Sequence, residues 1–428
     1  MNDTDLPSSS ACDVVVVGAG AAGVAAGRRL MAAGLDIVVI EARERIGGRA
    51  LTVSTSLGHD VDVGCEWLHS AERNPWVEVA GEHGFAIDRT LPNWGARVSW
   101  HLGEAAQRDW LAARQAFDER CERAAEGAAD LPESDLLEPG NRWNGLIGAI
   151  STWANGTELE RVSVKDHARY DNSMNNWRLP RGYGALIAAH GSCLPLRLGT
   201  TVRRIDHRGR RIVVATDRGD LSARAVIVTI PTNLLAREAI RFVPALPDKV
   251  AAAAGLPLGV ADKLFLGLRG PVDELPADRH LVGKTNCVQT GGYQVRPHGW
   301  PMIGAYFGGE LATALERDGP GAMAAFASDE LAGLLGGAIR QRLQPLAQSA
   351  WVLDPCATGS YSCALPGHAD DRLVLAEPVD ERLFFAGEAC SVGFFGTAQA
   401  AYITAAAAAD RAIAALSARA QTSALLGR

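Results

Sequence analysis

The chain has 428 residues, of which 47% are hydrophobic and 21% are charged. This length and composition suit two or three folded domains and exclude a mostly disordered protein. The 42 Lys and Arg residues stand against 49 Asp and Glu residues, giving a net charge of −7. Because the chain also lacks a basic block, nucleic acid is excluded as an expected partner. Eight scattered cysteines without a CxxC pair argue against a disulfide framework or a zinc knuckle.

The ends of the sequence carry no signal for export or membrane insertion. The first residues, MNDTDLPSSSACD, have neither the basic segment nor the apolar segment of a secretory signal. An alanine-rich stretch near the C-terminus is interrupted by Asp410 and Arg411, so nowhere do about 18 uncharged apolar residues follow one another. We therefore expect a cytoplasmic protein with no membrane partner.

The first sixty residues predict a β-α-β unit. Residues 13–17 predict a buried strand, 21–33 an alanine-rich helix that ends at Gly34, and 36–40 a second strand. Such a unit opens a doubly wound sheet. From 74 to 149 the pattern becomes helical and charged, which indicates a second domain.

Later segments return to the first domain and alternate with the second. Strand-like runs between 196 and 230, separated by two Arg-Gly turns, predict a meander. Strands are expected again within 262–309, a helix over 329–343, and a strand, a glycine-rich turn and a long alanine-rich helix at the end. We predict an α/β fold of two interwoven domains. They are a doubly wound, Rossmann-like domain (10–73, 181–261 and 351–416) and a substrate domain of mixed sheet and helices (74–180 and 262–350), with flexible termini at 1–9 and 417–428.

A glycine motif links the first strand to the first helix. Gly18, Gly20 and Gly23 give GxGxxG, which permits a tight turn, close approach to a pyrophosphate and close contact between helix and strand. Glu41 closes the second strand, where a carboxylate can accept both hydroxyls of an adenosine ribose. The combination predicts a dinucleotide site.

A second block, ARERIGGR, follows at 42–49. Its glycines, including Gly48, let the backbone approach a dinucleotide, while Arg43 or Arg49 can neutralise pyrophosphate charge. Proteins that bind only NAD stop matching at this block and FAD proteins begin to match. FAD is therefore the predicted cofactor.

Four segments of the sequence resemble the flavin-containing amine oxidase family, which includes monoamine oxidases, polyamine oxidases and lysine-specific histone demethylases. They are VVVVGAGAAGVAAGRRL, DVGCEWLHSAERNPW, AVIVTIPTNLL and LFFAGEACSVGFFGTAQAAYITAAAAA. They cover almost the whole chain in the family's order and look closest to bacterial polyamine or monoamine oxidases. The resemblance implies oxidation of a primary or secondary amine to an imine by hydride transfer to flavin N5. A small-molecule amine and O2, reduced to H2O2, are thus the expected partners, and a homodimer stays open.

The resemblance also implies which residues hold FAD. Glu388 would bind the ribityl or pyrophosphate region, Val202 would contact the adenine through its backbone, and Gly64 to Glu66 would lie against the ring. Thr397 stands where the last helix begins, and the N–H groups and dipole of a helix start suit the electron-rich edge of a flavin. The predicted cofactor residues are Gly18, Gly20, Ala22, Gly23, Glu41, Ala42, Arg43, Gly48, Arg49, Gly64, Cys65, Glu66, Trp67, Val202, Gly387, Glu388, Thr397 and Ala398.

Five residues match the family's catalytic positions. Lys263 would hold a water against flavin N5, and Tyr361 and Thr397 would flank the substrate amine. His69 would lie at the mouth of the site, and Trp351 near the flavin. Alternatives stay open: Lys263 as an ordinary strand-end lysine, Tyr361 and Trp351 as core residues, and His69 as a loop residue.

Ser360 stands where monoamine oxidases carry the cysteine that tethers the flavin, so the resemblance implies non-covalent FAD. No HExxH or GxSxG motif points to a metal or to nucleophilic catalysis. Three alternatives stay open: a flavin desaturase or protoporphyrinogen-type oxidase, an L-amino-acid oxidase, and a protein that binds FAD without turnover.

Overall fold

The computed structural model describes residues 10–92 and 97–426, in which helices and strands alternate along the chain. The helices are α1 (Ala21–Ala32), α2 (Pro75–Glu82), α3 (Glu104–Ala125), α4 (Asn144–Ala154), α5 (Val164–Ala168), α6 (Tyr183–Gly191), α7 (Thr232–Ala236), α8 (Pro247–Gly255), α9 (Gly309–Arg317), α10 (Ala322–Leu335), α11 (Asp371–Ala376) and α12 (Ala398–Leu426). Among these described residues, none of the helices has the length and apolar character needed to cross a membrane.

Seventeen strands are present in the same described ranges. They are β1 (Ser10–Val17), β2 (Ile37–Ile40), β3 (Thr52–Ser54), β4 (Asp60–Asp62), β5 (Trp67–Leu68), β6 (Trp177–Arg178), β7 (Leu196–Arg197), β8 (Val202–Asp206), β9 (Ile212–Thr216), β10 (Gly219–Val228), β11 (Arg241–Val243), β12 (Ala261–Leu268), β13 (Arg279–Val282), β14 (Gly292–Val295), β15 (Met302–Gly308), β16 (Leu343–Gln348) and β17 (Leu383–Phe385).

The larger sheet has eight strands, in the order β11-β8-β9-β10-β1-β2-β7, and β17 pairs with the end of β10. β1 runs parallel to β2 and β10, whereas β8, β9 and β10 form an antiparallel meander. The predicted β-α-β opening, the meander and the α/β class are confirmed.

Helices cover both faces of this sheet, which explains the uninterrupted valine run of β1. Val14 and Val16 pack on the side of α1, α6 and α12, and Val15 and Val17 pack on the side of α8 and α11. Successive side chains of a strand point to opposite faces, and a strand buried on both faces is apolar throughout.

The smaller sheet is antiparallel and has the order β13-β14-β15-β12-β16. In β12, Leu264, Leu266 and Leu268 pack against α9 and α10. The alternate residues Lys263 and Phe265 line a large cavity. The alternation of β12 therefore turns Lys263 away from the helices and into this cavity.

The helix predicted over 329–343 is wrong at both ends. α10 starts earlier, at Ala322, and ends at Leu335. Gly336 follows with a φ of +91°, a left-handed conformation that terminates helices and favours glycine. A 3-10 turn occupies 337–341, and β16 begins at Leu343.

The proposed domain limits cross two elements. The limit at 261–262 falls inside β12, and the limit at 416 falls inside α12, which continues to Leu426. Part of the terminus that we expected to be flexible is thus helical, while 1–9 and 427–428 lie outside the described residues. The division into two domains stays a proposal.

Candidate active site

One cavity of about 1320 Å³ extends from the carboxyl ends of β1 and β2 to the smaller sheet. Ligand crevices of doubly wound sheets open at this edge. The volume exceeds the roughly 300–1,000 Å³ of ordinary small-molecule sites, which leaves room for a dinucleotide and a second molecule. Of the predicted site residues, those that line it are Gly18, Gly20, Ala22, Glu41, Ala42, Arg43, Gly48, Arg49, Gly64, Cys65, Glu66, Trp67, His69, Val202, Lys263, Trp351, Tyr361, Gly387, Glu388, Thr397 and Ala398.

Gly23 is the predicted residue that does not line the cavity, because it packs against the preceding turn. A Cβ added to Gly23 would lie 1.8 Å from the carbonyl oxygen of Gly18. Gly48 has a φ of +60°, and a Cβ there would lie 3.1 Å from Gly20 Cα. These close approaches leave the N-terminus of α1 facing the cavity, where its free N–H groups can bind phosphate oxygens.

Glu41 is buried at the end of β2 and is held by two backbone N–H groups. Its Oε2 accepts from Ala19 N (2.8 Å) and its Oε1 from Arg43 N (2.9 Å). A carboxylate oxygen has two acceptor positions, so each can still receive a ribose hydroxyl. The Arg43 guanidinium donates to Asp354 (2.8 Å), a partner that the sequence did not reveal.

Glu388 is fixed by a buried polar network. It accepts from Arg49 Nη1 (2.9 Å) and from Ser362 Oγ (2.6 Å). Burial alone would raise the pKa of Glu388, but Arg49, Ser362 and Arg372 outweigh burial and hold the pKa below its usual value. Arg372 donates to Ser362 Oγ (2.9 Å) and forms two 2.7 Å bonds with Asp166. The carboxylate therefore stays charged and oriented beside the cavity.

Thr397 caps α12. Its Oγ accepts from Ala400 N (3.0 Å) and donates to the Phe394 carbonyl (2.6 Å). Capping by threonine is a common way to satisfy the first N–H groups of a helix. The hydroxyl hydrogen is thus committed within the chain, and Thr397 can offer a ligand only its remaining acceptor position.

Lys263 forms an ion pair with Glu66 inside the cavity. Its Nζ lies 2.7 Å from Glu66 Oε2 and donates to the Asp62 carbonyl (3.2 Å). Burial lowers the pKa of Lys263, but Glu66 outweighs burial and the pKa is raised. Burial likewise raises the pKa of Glu66, and Lys263 outweighs it and lowers the pKa. Both groups are charged at neutral pH.

Aromatic side chains form the walls around this ion pair. The Tyr361 hydroxyl donates to the Trp153 carbonyl, and Lys263 Nζ lies 5.7 Å from the centre of the Tyr306 ring. Tyr170 and Phe395 stack with ring centres 5.0 Å apart. All these rings line the cavity. Of the five aromatic residues here, the sequence pointed only to Tyr361.

His69 lines the cavity with its ring held in place. Nδ1 lies 3.1 Å from Asn176 Oδ1, which can only accept, so Nδ1 carries the hydrogen. Burial lowers the pKa of His69 from the model value of 6.5. The ring is therefore neutral at pH 7 and offers Nε2 as an acceptor.

The segment that carries Trp351 rests on two buried acids. Trp351 N donates to Asp262 (3.3 Å), and the N–H groups of Val352 and Leu353 donate to Glu316 (3.0 Å each). Burial and the neighbouring Glu316 carboxylate raise the pKa of Asp262. The acid pair therefore retains a proton beneath this wall of the cavity.

Comparison with known proteins gives this site its class. The model of the family described as flavin containing amine oxidoreductase matches residues 21–169 and 113–413, most of the chain. The chain belongs to this family. Polyamine oxidase 4 of Oryza sativa subsp. japonica is 29% identical over 93% of this chain and 88% of its own length. Polyamine oxidase 2 of Arabidopsis thaliana is also 29% identical, over 91% of this chain and 86% of its own length.

Solved structures show the same fold. A triple mutant of putrescine oxidase has a TM-score of 0.77 at 20% identity and covers 94% of this chain and 99% of its own. Cyclohexylamine oxidase from Brevibacterium oxydans IH-35A has a TM-score of 0.76 at 19% identity, over 95% and 99%. The protein is an FAD-dependent amine oxidoreductase, as its family membership and relatives establish, and the alternative flavin chemistries are not favoured.

Proposed function

We propose that this chain oxidises a small primary or secondary amine to an imine, which water then hydrolyses. The observation that carries the proposal is one continuous cavity joining the dinucleotide motif at α1 to Lys263 and its aromatic surroundings. Bound FAD supplies the acceptor, at N5, for the hydride that leaves the carbon next to nitrogen. O2 is the proposed final oxidant.

The side chains and helix ends of the cavity suit FAD along its length. Glu41 has free acceptor positions for the ribose, the N-terminus of α1 suits the pyrophosphate, and that of α12 suits the ring. Ser360 Oγ bonds both the N–H and the carbonyl of Ala261 (2.8 and 2.9 Å). A hydroxyl engaged in this way supports non-covalent FAD, and flavin left on the acid-precipitated protein would contradict it.

The residues around the reacting carbon bind, orient and exclude water. Charged Lys263, paired with Glu66, can hold a water, as the resemblance implies. Tyr361 and Thr397 lie near one another, since the Cβ positions of Gly396 and Tyr361 are 3.7 Å apart, which supports their proposed place on either side of the amine. Trp351 supports one wall, and neutral His69 offers an uncharged acceptor. Orientation and desolvation are the contributions of the chain.

The test is anaerobic stopped-flow reduction of the yellow holoenzyme by a panel of amines between pH 6 and 10. Only the neutral amine can release a hydride, so the rate should rise with pH until the amine is deprotonated. A flat profile with a slow chemical step contradicts the proposal. Protein that is colourless and takes up no FAD contradicts it more deeply.

Three further parts of the proposal have their own measurements. A peroxidase-coupled assay should find one H2O2 per amine if O2 is the oxidant, and light scattering tests the homodimer. The eight cysteines are all free in the described residues, which supports a reducing, cytoplasmic location. Fractionation of the source cells tests that location.

A further inference from the structure

The carboxylates in the substrate half of the cavity are already paired. We define this half as the lining residues grouped around Lys263, Trp153 and α3, away from the dinucleotide motif. Its three ion pairs are Glu66 with Lys263 (2.7 Å), Asp118 with Arg114 (2.8 Å) and Asp278 with Arg178 (3.0 Å). Among the described residues, the other lining carboxylates are Glu41 and Glu388 at the nucleotide end.

The charge balance of this half disfavours a second positive charge on the substrate. Arg279 also lines it, so four cationic side chains stand against three carboxylates. Residues 93–96 lie beside the lining residue Pro92 but outside the described ranges, and their sequence, NWGA, contains no acid. A distal ammonium would therefore meet no carboxylate that is not already engaged by an arginine or by Lys263.

Apolar groups dominate the remaining walls. Trp153, Tyr170, Tyr306 and Phe395 surround the reaction region, and Leu111, 45% exposed, lies at the mouth. An aromatic ring attracts a cation, but this attraction is smaller than the cost of stripping water from an unpaired buried ammonium. The same walls favour an apolar substrate body, because its burial releases water from surfaces on both sides.

We propose that the substrate is a monoamine with an apolar, cyclic or aromatic body, and that the Arg114–Asp118 pair on α3 helps to exclude diamines and polyamines. This inference rests on the proposed amine oxidation and names its substrate class. It separates this chain from relatives whose names refer to polyamines. Arg114 donates to both oxygens of Asp118 (2.8 and 3.0 Å), which occupies the carboxylate that a distal ammonium would need.

The first experiment compares two amines of equal length on the holoenzyme. In n-hexylamine a methyl group replaces one ammonium of 1,5-diaminopentane. We expect kcat/KM to be at least about 100-fold higher for hexylamine, equivalent to about 2.7 kcal/mol at 1.4 kcal/mol per tenfold. Equal values, or a preference for the diamine, overturn the inference. Preference for L-phenylalanine over 2-phenylethylamine overturns it as well.

A second readout separates failure of this inference from failure of the proposed function. Calorimetric titration measures binding of the same two amines under anaerobic conditions, without reference to turnover. If neither amine reduces the flavin but hexylamine alone binds, amine oxidation fails and the binding preference stands. If both reduce the flavin but bind with equal affinity, the oxidation stands and the substrate class is overturned.

The Arg114→Leu variant tests the specificity pair directly. It leaves Asp118 free to receive an ammonium, so the hexylamine-to-diaminopentane ratio should fall at least tenfold, and Asp118→Asn in the same chain should restore it. Arg108→Leu is the matched control, because Arg108 is an exposed arginine on the same helix outside the cavity. If Arg114→Leu is poorly folded, Arg114→Gln replaces it. An unchanged ratio in a folded variant overturns the role of the pair.

Discussion

The two ends of the cavity are built in different ways. At the nucleotide end, backbone groups and glycines from one continuous stretch, 18–49, provide most of the surface. At the substrate end, side chains from distant parts of the chain meet, as Glu66 and Lys263 do across 197 positions. The nucleotide end depends on the shape of the backbone, and the substrate end depends on charges and rings that must be paired. Each end should therefore fail in its own way.

The largest effect is expected at the nucleotide end, from a single added methyl group. Gly23→Ala places a Cβ where only 1.8 Å separates it from the Gly18 carbonyl oxygen, so the turn must move and FAD should be lost almost completely. The ratio of flavin to protein absorbance after purification measures this. Gly81→Ala is the control, since a Cβ there meets nothing within 4 Å. A Gly23→Ala protein with full FAD would contradict the argument.

Between the two ends, the buried Arg372–Asp166 pair should behave unlike a surface pair. The two side chains are 0% and 3% exposed, so Arg372→Met should cost about 3–5 kcal/mol of stability by leaving Asp166 charged and unpaired. The control Arg29→Met breaks a pair with Asp410 whose side chains are 57% and 51% exposed, and should cost about 0–1 kcal/mol. Urea denaturation compares the two variants. Equal losses would show that burial does not govern these pairs.

At the substrate end, Lys263→Met should slow chemistry while FAD stays bound. A positioned side chain that handles a proton or its water contributes about 100-fold or more, so flavin reduction or reoxidation should slow by about that factor. Separate stopped-flow measurements of the two half-reactions identify the affected step. Lys284→Met, an exposed lysine outside the cavity, is the control. Unchanged rates in both half-reactions would remove Lys263 from the mechanism.

The smallest effect is a change in how stability depends on pH. The raised pKa of Asp262 means that the folded protein holds a proton which the unfolded chain releases above about pH 3.9. This contribution is complete below that pH and is lost as the pH rises through the raised pKa. Asp262→Asn should therefore flatten the fall in melting temperature between pH 4 and 8. The exposed Asp273→Asn should retain the wild-type slope, and parallel curves for all three proteins would contradict the assignment.

The nucleotide end could be predicted from sequence because its signals are local. Strand, glycines, helix, strand and acid follow one another within thirty positions, and the structure has all of these elements in that order. The resemblance also pointed to Lys263, although no periodicity could. Every residue of β12 is buried, so its apolar pattern does not show which side faces the cavity.

Pairing between distant side chains could not be predicted. The sequence gives no sign that Arg43 meets Asp354 or that Arg114 occupies Asp118 within the cavity. Histidine spacing likewise missed His83 and His190, which lie 3.1 Å apart between α2 and α6, with Glu82 beside them. Such contacts depend on how helices and sheets pack, which local pattern does not specify.

The packing of α12 beside α1 has a consequence for biosynthesis. These two helices share one core, and their starts contribute Gly20 and Thr397 to the same cavity. A ribosome delivers the β-α-β unit first and the start of α12 only after all the other segments that line the cavity. The nascent chain therefore exposes a half-built crevice throughout its synthesis, and firm capture of the cofactor awaits the emergence of the final helix.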